Sequence, residues 1–318
     1  MKSQIQQTND QATDSKCYAV NKKYYKDEFI KYFSKNTKKS STPEMNIGYY
    51  IRTESFRAFV YNFVKNHNNC QVLNIGAGFD TLIFKMIADN VIPKLMVEVD
   101  LMENVMEKIS TIKKNPKLND LIKNDANIRL SSIDESVQYH SSFYHLFHYD
   151  ISDNPQDLFS LLQDLKFDLN SPTLIIAECV FVYLKANFVD DFLTSMQKSI
   201  PNLTLINYEQ INMNDKFGEV MRGNFIARGC ELPGLDSCGS IDDQIKRYKM
   251  IGFANVMCLT INQVFDLLSD LAVKRIRGIE IIDEPDLMKQ LFDHYSILIA
   301  SNDTEINEEF RKSIQLLF

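Results

Sequence analysis

The feature that most constrains the fold of this chain is a change of rhythm near residue 70, where short apolar runs begin to alternate with amphipathic stretches. Residues 71–75, 94–100, 143–149, 173–182 and 203–208 read as strands. Residues 80–88, a stretch from 102 onward, 155–165, 187–199 and 215–227 read as the helices that follow them. Parallel strands need crossovers and helices supply them, so the pattern predicts an α/β fold with a mainly parallel, doubly wound sheet. The end of the chain differs. A helix over 241–250, a strand over 253–259, helices over 262–271 and 284–294 and a strand over 296–300 predict a closing antiparallel edge hairpin.

No internal repeat and no Gly/Ser- or Pro-rich linker divides the 318 residues, so a single domain over 15–318 is expected, after a disordered 1–14. A helix is predicted over 27–35. A longer one is predicted over 49–65, where Phe56, Phe59, Val60 and Phe63 recur at helical spacing. Residues 15–66 form an N-terminal helical cap in this reading. The stretches 101–142 and 209–252 exceed a minimal crossover and read as further additions over a cleft, the second on the substrate side.

Composition narrows the function. Hydrophobic residues make up 45% and charged residues 24%, as in ordinary soluble domains. No apolar run approaches the ~20 residues of a membrane span. The polar N-terminus resembles neither a signal nor a transit peptide, so the cytoplasm is the default location, with the nucleus open to it. A net charge of −7 argues against a nucleic-acid partner. Locally, Lys16, Lys22, Lys23, Lys26, Lys31, Lys35, Lys38 and Lys39 crowd the first forty residues, as a solvated helix face or as a landing strip for an acidic partner. The six cysteines contain no C-x-x-C pair and read as buried free thiols, with contact between Cys230 and Cys238 left open. His140, His145 and His148 share no ligand face, so no metal is expected. A monomer is expected.

In open α/β sheets ligands bind beyond the carboxyl ends of the strands. After the first strand, Gly76-Ala77-Gly78 permits a tight turn and a close approach of backbone to ligand. Asp100 closes the second strand, about 20 residues on, where a carboxylate accepts from ribose hydroxyls. Asp150 and Ile151 close the third strand, an acid for an adenine amino group beside an apolar surface for its ring. Glu178 lies in a nearly continuous apolar strand, a costly place for a carboxylate without a partner. A dinucleotide site favours a third glycine, but Thr81 stands there, and Asp80 puts a negative charge where a pyrophosphate would lie. S-adenosylmethionine fits better, with ribose, adenine, an amine, a sulfonium and one carboxylate. Arg52 and Lys16 are the cations available for that carboxylate.

The segments VLNIGAGFDT, VEVD, YDIS, LIIAECVFVYL and INYEQINMNDKFGEVM, with GYYIRTES and DSKCYAVNKKYYKDEF before them, resemble the leucine carboxyl methyltransferases over roughly residues 15–301. The resemblance implies the class I methyltransferase fold, with seven strands and an antiparallel last strand. It implies S-adenosylmethionine as cofactor. As substrate it implies the C-terminal leucine carboxylate of the protein phosphatase 2A catalytic subunit. By motif, Lys16 and Arg52 would meet the cofactor carboxylate, Gly76 its methionine part, Asp100 the ribose, Asp150 and Ile151 the adenine, and Glu178 the amino group. Arg52 and Tyr183 are the candidate catalytic residues, and Tyr208 and Glu209 would lie near the substrate tail. The chain departs from the family pattern at Lys23-Tyr24-Tyr25 and Asp27-Glu28-Phe29, where Gly-Tyr-Trp and Asp-Pro-Tyr are usual, and it has no Trp.

A carboxylate nucleophile is ionised at pH 7, so no general base is required. Four other readings stand beside this one. A carboxyl methyltransferase of a modified tRNA base resembles this family but carries an added repeat domain. A methyltransferase of a small-molecule acid is the second. A dinucleotide oxidoreductase is disfavoured by Thr81, and a non-catalytic phosphatase-binding protein by Gly76, Asp100 and Glu178.

Overall fold

The computed structural model describes residues 4–36, 40–123, 125, 128–303 and 305–317. Two helices precede the sheet, α1 (Gln4–Asn21) and α2 (Pro43–Asn66). The central part follows as β1 (Gln71–Ile75), α3 (Leu82–Ala88), β2 (Leu95–Asp100), α4 (Met102–Lys114), α5 (Pro116–Ile122), β3 (Gln138–His140), β4 (Tyr144–His148), α6 (Pro155–Asp164), β5 (Thr173–Glu178), α7 (Ala186–Ser199) and β6 (Leu203–Gln210). The chain ends with α8 (Lys216–Ala227), α9 (Ile241–Ile251), β7 (Asn255–Thr260), α10 (Ile261–Asp266), α11 (Asp270–Arg277), α12 (Pro285–Asp293), β8 (Tyr295–Ser301) and α13 (Ile306–Gln315).

The strands form one sheet in the order β3-β4-β2-β1-β5-β6-β8-β7. β4, β2, β1, β5 and β6 run parallel, and β8 runs antiparallel between β6 and β7. This is the class I methyltransferase arrangement, with its last strand antiparallel as expected. From β1 the chain moves outward through β2 to β4, then returns to β5 and β6 on the other side. The winding therefore reverses between β1 and β5, and a crevice opens beyond their carboxyl ends.

Both faces of the sheet are covered, which is why its strands read as unbroken apolar runs. Val72, Leu174, Ile176, Ile206 and Ile299 pack on one side with α2, α3, α10 and α13. Leu73, Ile75, Ile175, Leu205 and Leu298 pack on the other with α6, α7 and α9. No helix among the described residues is long and apolar enough to cross a membrane.

Several expectations need correction. The stretch from residue 4 to 14, expected to be disordered, belongs to helix α1. It lacks a core-facing stripe because it lies over a polar crevice. The helix expected over 27–35 is a single 3-10 turn at Ile30–Tyr32. The Asp27 carboxylate takes the N–H groups of Phe29 and Ile30 at 2.8 and 3.1 Å, while Phe29 packs on Phe84 and Phe33 on both Phe84 and Phe79. The sheet has eight strands rather than seven, because three residues at its edge, β3, pair antiparallel with β4. The strand expected over 173–182 stops at Glu178, since Cys179 turns with φ +61° into a 3-10 turn at Phe181–Tyr183. The helix expected over 262–271 is two helices, broken where Ser269 caps α11 by accepting from the Ala272 N–H.

Candidate active site

The crevice holds a cavity of about 370 Å³. Its floor is the turn after β1. Gly76 and Gly78 adopt φ +61° and +48°, the left-handed region that favours glycine. A Cβ at Gly76 would come within 2.6 Å of the Val180 side chain, and one at Gly78 within 2.4 Å of Asn9 Oδ1. The turn is thus pressed between α1 and the segment after β5, and only glycine fits.

Asp80 has a local task. One carboxylate oxygen takes the Leu82 N–H at the entry to α3, and the other accepts from Asn74. At the third-glycine position, the Thr81 hydroxyl donates to Asp27. Two carboxylates therefore crowd this helix entry, and a pyrophosphate would meet both.

On one side of the turn, Asp100 is buried at the end of β2. It accepts from the backbone N–H groups of Gly78 and Leu101, both at 2.6 Å, and from Asn104 at 2.8 Å. Burial pushes its carboxyl up, and those hydrogen bonds pull against the shift without cancelling it. Tyr149, Asp150 and Ile151 follow along the same wall, where Asp150 Oδ1 accepts from the backbone and hydroxyl of Ser152.

On the other side lies a compact charge cluster. Glu178, at the end of β5, meets Lys16 of α1 at 2.8 and 3.0 Å and the Arg52 Nε of α2. All three side chains are largely buried. Burial alone would raise the Glu178 carboxyl, but Arg52 and Lys16 outweigh it and hold the group at about 2. Burial likewise works against the charge on Arg52, and Glu178 more than restores it. The guanidinium also lies over Tyr208 at 4.5 Å and Tyr49 at 5.6 Å. Two cations and one anion leave a net positive charge facing the cavity, which is suited to a carboxylate. The same anion can take an ammonium group.

Seven residues expected at the cofactor, Lys16, Arg52, Gly76, Asp100, Asp150, Ile151 and Glu178, line this one cavity. In order along the wall they offer partners for an amino-acid zwitterion, a ribose and an adenine, so the donor set fits S-adenosylmethionine. Tyr183 also lines the cavity, and its hydroxyl donates to Thr8 at 2.9 Å. Burial pushes that phenol well above its ordinary range, so it offers a neutral hydroxyl and no base.

The two residues expected near a substrate tail part company. Tyr208 stacks on Tyr295, ring centroids 5.4 Å apart, and faces a smaller recess beside Arg52. Glu209 points to the opposite face of β6 and lines neither cavity nor recess. Its Oε2 accepts from the Phe181 N–H at 3.1 Å, so it holds the turn that carries Tyr183. Burial raises its carboxyl to about 8.

The first lysines form no single strip. Lys16 is in the site, Lys22 pairs with Glu280, and Lys35 pairs with Asp10 and Glu107. Lys38 and Lys39 lie outside the described residues. Cys230 and Cys238 are both buried and free.

Other wall residues carried little signal in sequence. Thr8 and Asn9 come from a helix without apolar periodicity, and Gln210 and Tyr295 from strands whose ends were set short. Tyr49 was accessible to helical spacing, at i−3 from Arg52, while Asn104 reaches Asp100 from the first turn of α4.

Comparison with known proteins agrees with this geometry. Residues 5–197 match the model of the family described as leucine carboxyl methyltransferase. Leucine carboxyl methyltransferase 1 of Caenorhabditis elegans is 34% identical over 304 residues, 93% of this chain and 90% of that one. Its namesake in Bos taurus is 31% identical over 302 residues, 93% of this chain and 89% of that one. Among solved structures, a DUF574 family protein from Streptomyces avermitilis aligns with a TM-score of 0.51 at 14% identity, over 82% of this chain and 86% of that one, a likeness of fold alone. With the family model spanning more than half the chain and relatives matching nearly all of it, this methyltransferase belongs to the leucine carboxyl methyltransferase family.

Proposed function

We propose that the protein methylates the C-terminal leucine α-carboxylate of the protein phosphatase 2A catalytic subunit, giving a methyl ester and S-adenosylhomocysteine. The observation that carries this reading is Arg52. It is a buried guanidinium, fixed through Nε by Glu178 and flanked by Tyr49 and Tyr208, on the wall between the cavity and a recess. S-adenosylmethionine supplies the methyl group, activated on a sulfonium. The chain's own residues position and desolvate the acceptor. Arg52 draws a carboxylate into the site without protonating it. The aromatic wall of Tyr49, Tyr208 and Tyr295 strips its water. No side chain among the described residues of the wall is poised as a base, and an α-carboxylate with an ordinary pKa near 3.5 needs none. Rate then comes from proximity and alignment.

The test is transfer of labelled methyl to three acceptors: the intact phosphatase, one lacking its last leucine, and one with a C-terminal amide. Deleting one extended residue withdraws the carboxylate by about 3.3–3.6 Å. A 1 Å misplacement can already cost about 100-fold, so the truncated acceptor should be very poor and the amide inert. Mild alkali should release the label as methanol. Alkali-stable label, or equal labelling of all three, overturns the reading.

A further inference from the structure

Glu209 is buried on the face of β6 that looks away from the cavity, and it carries an unmet need. Its Oε2 accepts from the Phe181 N–H at 3.1 Å, with the Val182 N–H beside it. Its Oε1 is buried with no hydrogen-bond partner among the described residues. The cation that faces it, Arg247 of α9, is already engaged. The Arg247 Nε donates to Asp190 of α7 at 2.7 Å, Nη1 to the Ser237 hydroxyl at 3.0 Å and Nη2 to the Ala186 carbonyl at 3.4 Å. Arg52, across the sheet on α2, is held by Glu178. The other titratable groups facing Glu209 are Cys179 and Tyr183 on the turn after β5, Cys238 before α9 and Tyr248 of α9. Burial pushes all four up and keeps them neutral.

The turn that Glu209 holds touches two parts of the cavity wall that lie outside the sheet. Tyr183 donates to Thr8 of α1 at 2.9 Å. The Val182 carbonyl accepts from the Gly234 N–H at 2.9 Å. A Cβ on Gly234 would lie 2.8 Å from the Phe181 and Leu184 carbonyl oxygens and from Val182 Cα. The segment after α8 therefore sits backbone to backbone on the turn, and it brings Cys230 and Leu232 into the cavity wall. One buried carboxyl underlies both contacts.

A neutral carboxyl can accept from the turn in a dry site. A carboxylate there, with one oxygen bare and no free cation beside it, is costly, and moving the turn to admit water relieves it. We propose that Glu209 is a positioning residue that works as a pH-sensitive latch on the cofactor cavity. Protonated, it seats the turn. Ionised, its proton lost to solvent, it releases Tyr183 from α1 and Val182 from Gly234, and the roof and wall of the cavity loosen. The two N–H groups favour the charge, but burial outweighs them and holds the carboxyl at about 8. A carboxyl raised on folding gives its support at lower pH and loses it as pH rises through the folded value. The latch is therefore closed at pH 7 and open at pH 9.

The experiment is calorimetric titration of S-adenosylhomocysteine, which lacks the alkali-labile sulfonium, into the full chain at pH 7 and pH 9. Wild type is compared with Glu209→Gln, which keeps an oxygen for the Phe181 N–H and cannot ionise. Apparent affinity scales with the fraction of closed latch, so wild type should weaken between the two pH values by about 10-fold more than the variant. Titration of the ligand itself is common to both proteins and cancels. A merely structural role would change the variant's affinity equally at both pH values. If Glu209→Gln does not fold, hydrogen exchange of wild type decides. After correction for the intrinsic rate at each pH, protection over residues 180–184 and 230–236 should drop about 10-fold from pH 7 to pH 9, while that of β1 and β5 holds. Equal pH responses of the two proteins, or unchanged protection over the turn, overturn the latch. Neither readout needs a methyl acceptor, so the result is independent of the carboxyl-methylation proposal.

Discussion

Arg52 and Glu209 show two opposite uses of burial. Arg52 keeps its charge because Glu178 is beside it, and together they form a fixed cation at the cavity wall. Truncating a desolvated partner of a carboxylate costs roughly 2–5 kcal/mol, or about 30-fold and more in rate. Arg52→Ala should therefore lose most methyl transfer with the fold retained. Arg52→Lys should rescue poorly, because a point charge cannot reproduce the planar fork or its stacking on Tyr208. Near-normal rates in the alanine variant would show that the guanidinium takes no part. Glu209 has burial as the largest influence on its carboxyl, which rises from 4.5 to about 8. A carboxyl that holds its proton more tightly folded than unfolded stabilises fully below the unfolded value and loses that contribution as pH rises to the folded one. Glu209→Gln keeps an oxygen for the Phe181 N–H and cannot ionise. Its melting temperature should gain on wild type between pH 5 and pH 8.5, and a constant gap across that range would refute the assignment. Glu178 was legible in sequence because a carboxylate in an apolar strand demands a partner. Glu209 was misread because it adjoins Tyr208, and strand alternation sends neighbours to opposite faces.

At the level of elements, the strand–helix alternation was legible because covered parallel strands must be apolar throughout, and the crossover helices must be amphipathic. What escaped were elements whose stability comes from elsewhere. β3 is three residues long and polar at both ends, and it exists because β4 offers it an edge. α1 is polar because its cavity side touches other polar groups. Asn9 accepts from the Phe79 N–H and donates to Asn104, both at 3.3 Å, and Thr8 accepts from Tyr183. Such a helix has no hydrophobic stripe to reveal it. It roofs the cofactor cavity and adds little core before Cys17 and Ala19. Deleting residues 1–15 should therefore weaken S-adenosylmethionine binding at least about 10-fold by calorimetry, although Lys16 remains. Circular dichroism should retain the signature of the sheet. Unchanged affinity would mean that α1 is no part of the binding wall.

Across the whole molecule, one cavity is assembled from distant stretches of chain. α1 and α2 supply Lys16 and Arg52, the carboxyl ends of β1, β2, β4 and β5 supply Gly76, Asp100, Asp150 and Glu178, and the segment after β6 supplies Phe225, Arg228 and Leu232. The sheet's reversal between β1 and β5 fixes where these stretches can meet, and for that reason five of the seven cofactor residues, Gly76, Asp100, Asp150, Ile151 and Glu178, could be chosen from strand ends alone. The partners brought in from outside the sheet could not be chosen that way. A ligand that touches all these parts binds only the folded chain, so it must raise the melting temperature. At a concentration of 100 Kd the gain is about 2.7 kcal/mol. With an unfolding entropy of ~2.1 cal/mol/K per residue, that is a shift of about 4 °C for a chain of 318 residues. S-adenosylmethionine should give such a shift and titrate to one site per chain. NAD at the same concentration should give none, because Asp80 and the Asp27–Thr81 contact crowd the helix entry where its pyrophosphate would have to lie. A saturable NAD shift equal to that of S-adenosylmethionine would show that the carboxylates at the start of α3 do not exclude phosphate, and the cofactor assignment would fall with that argument.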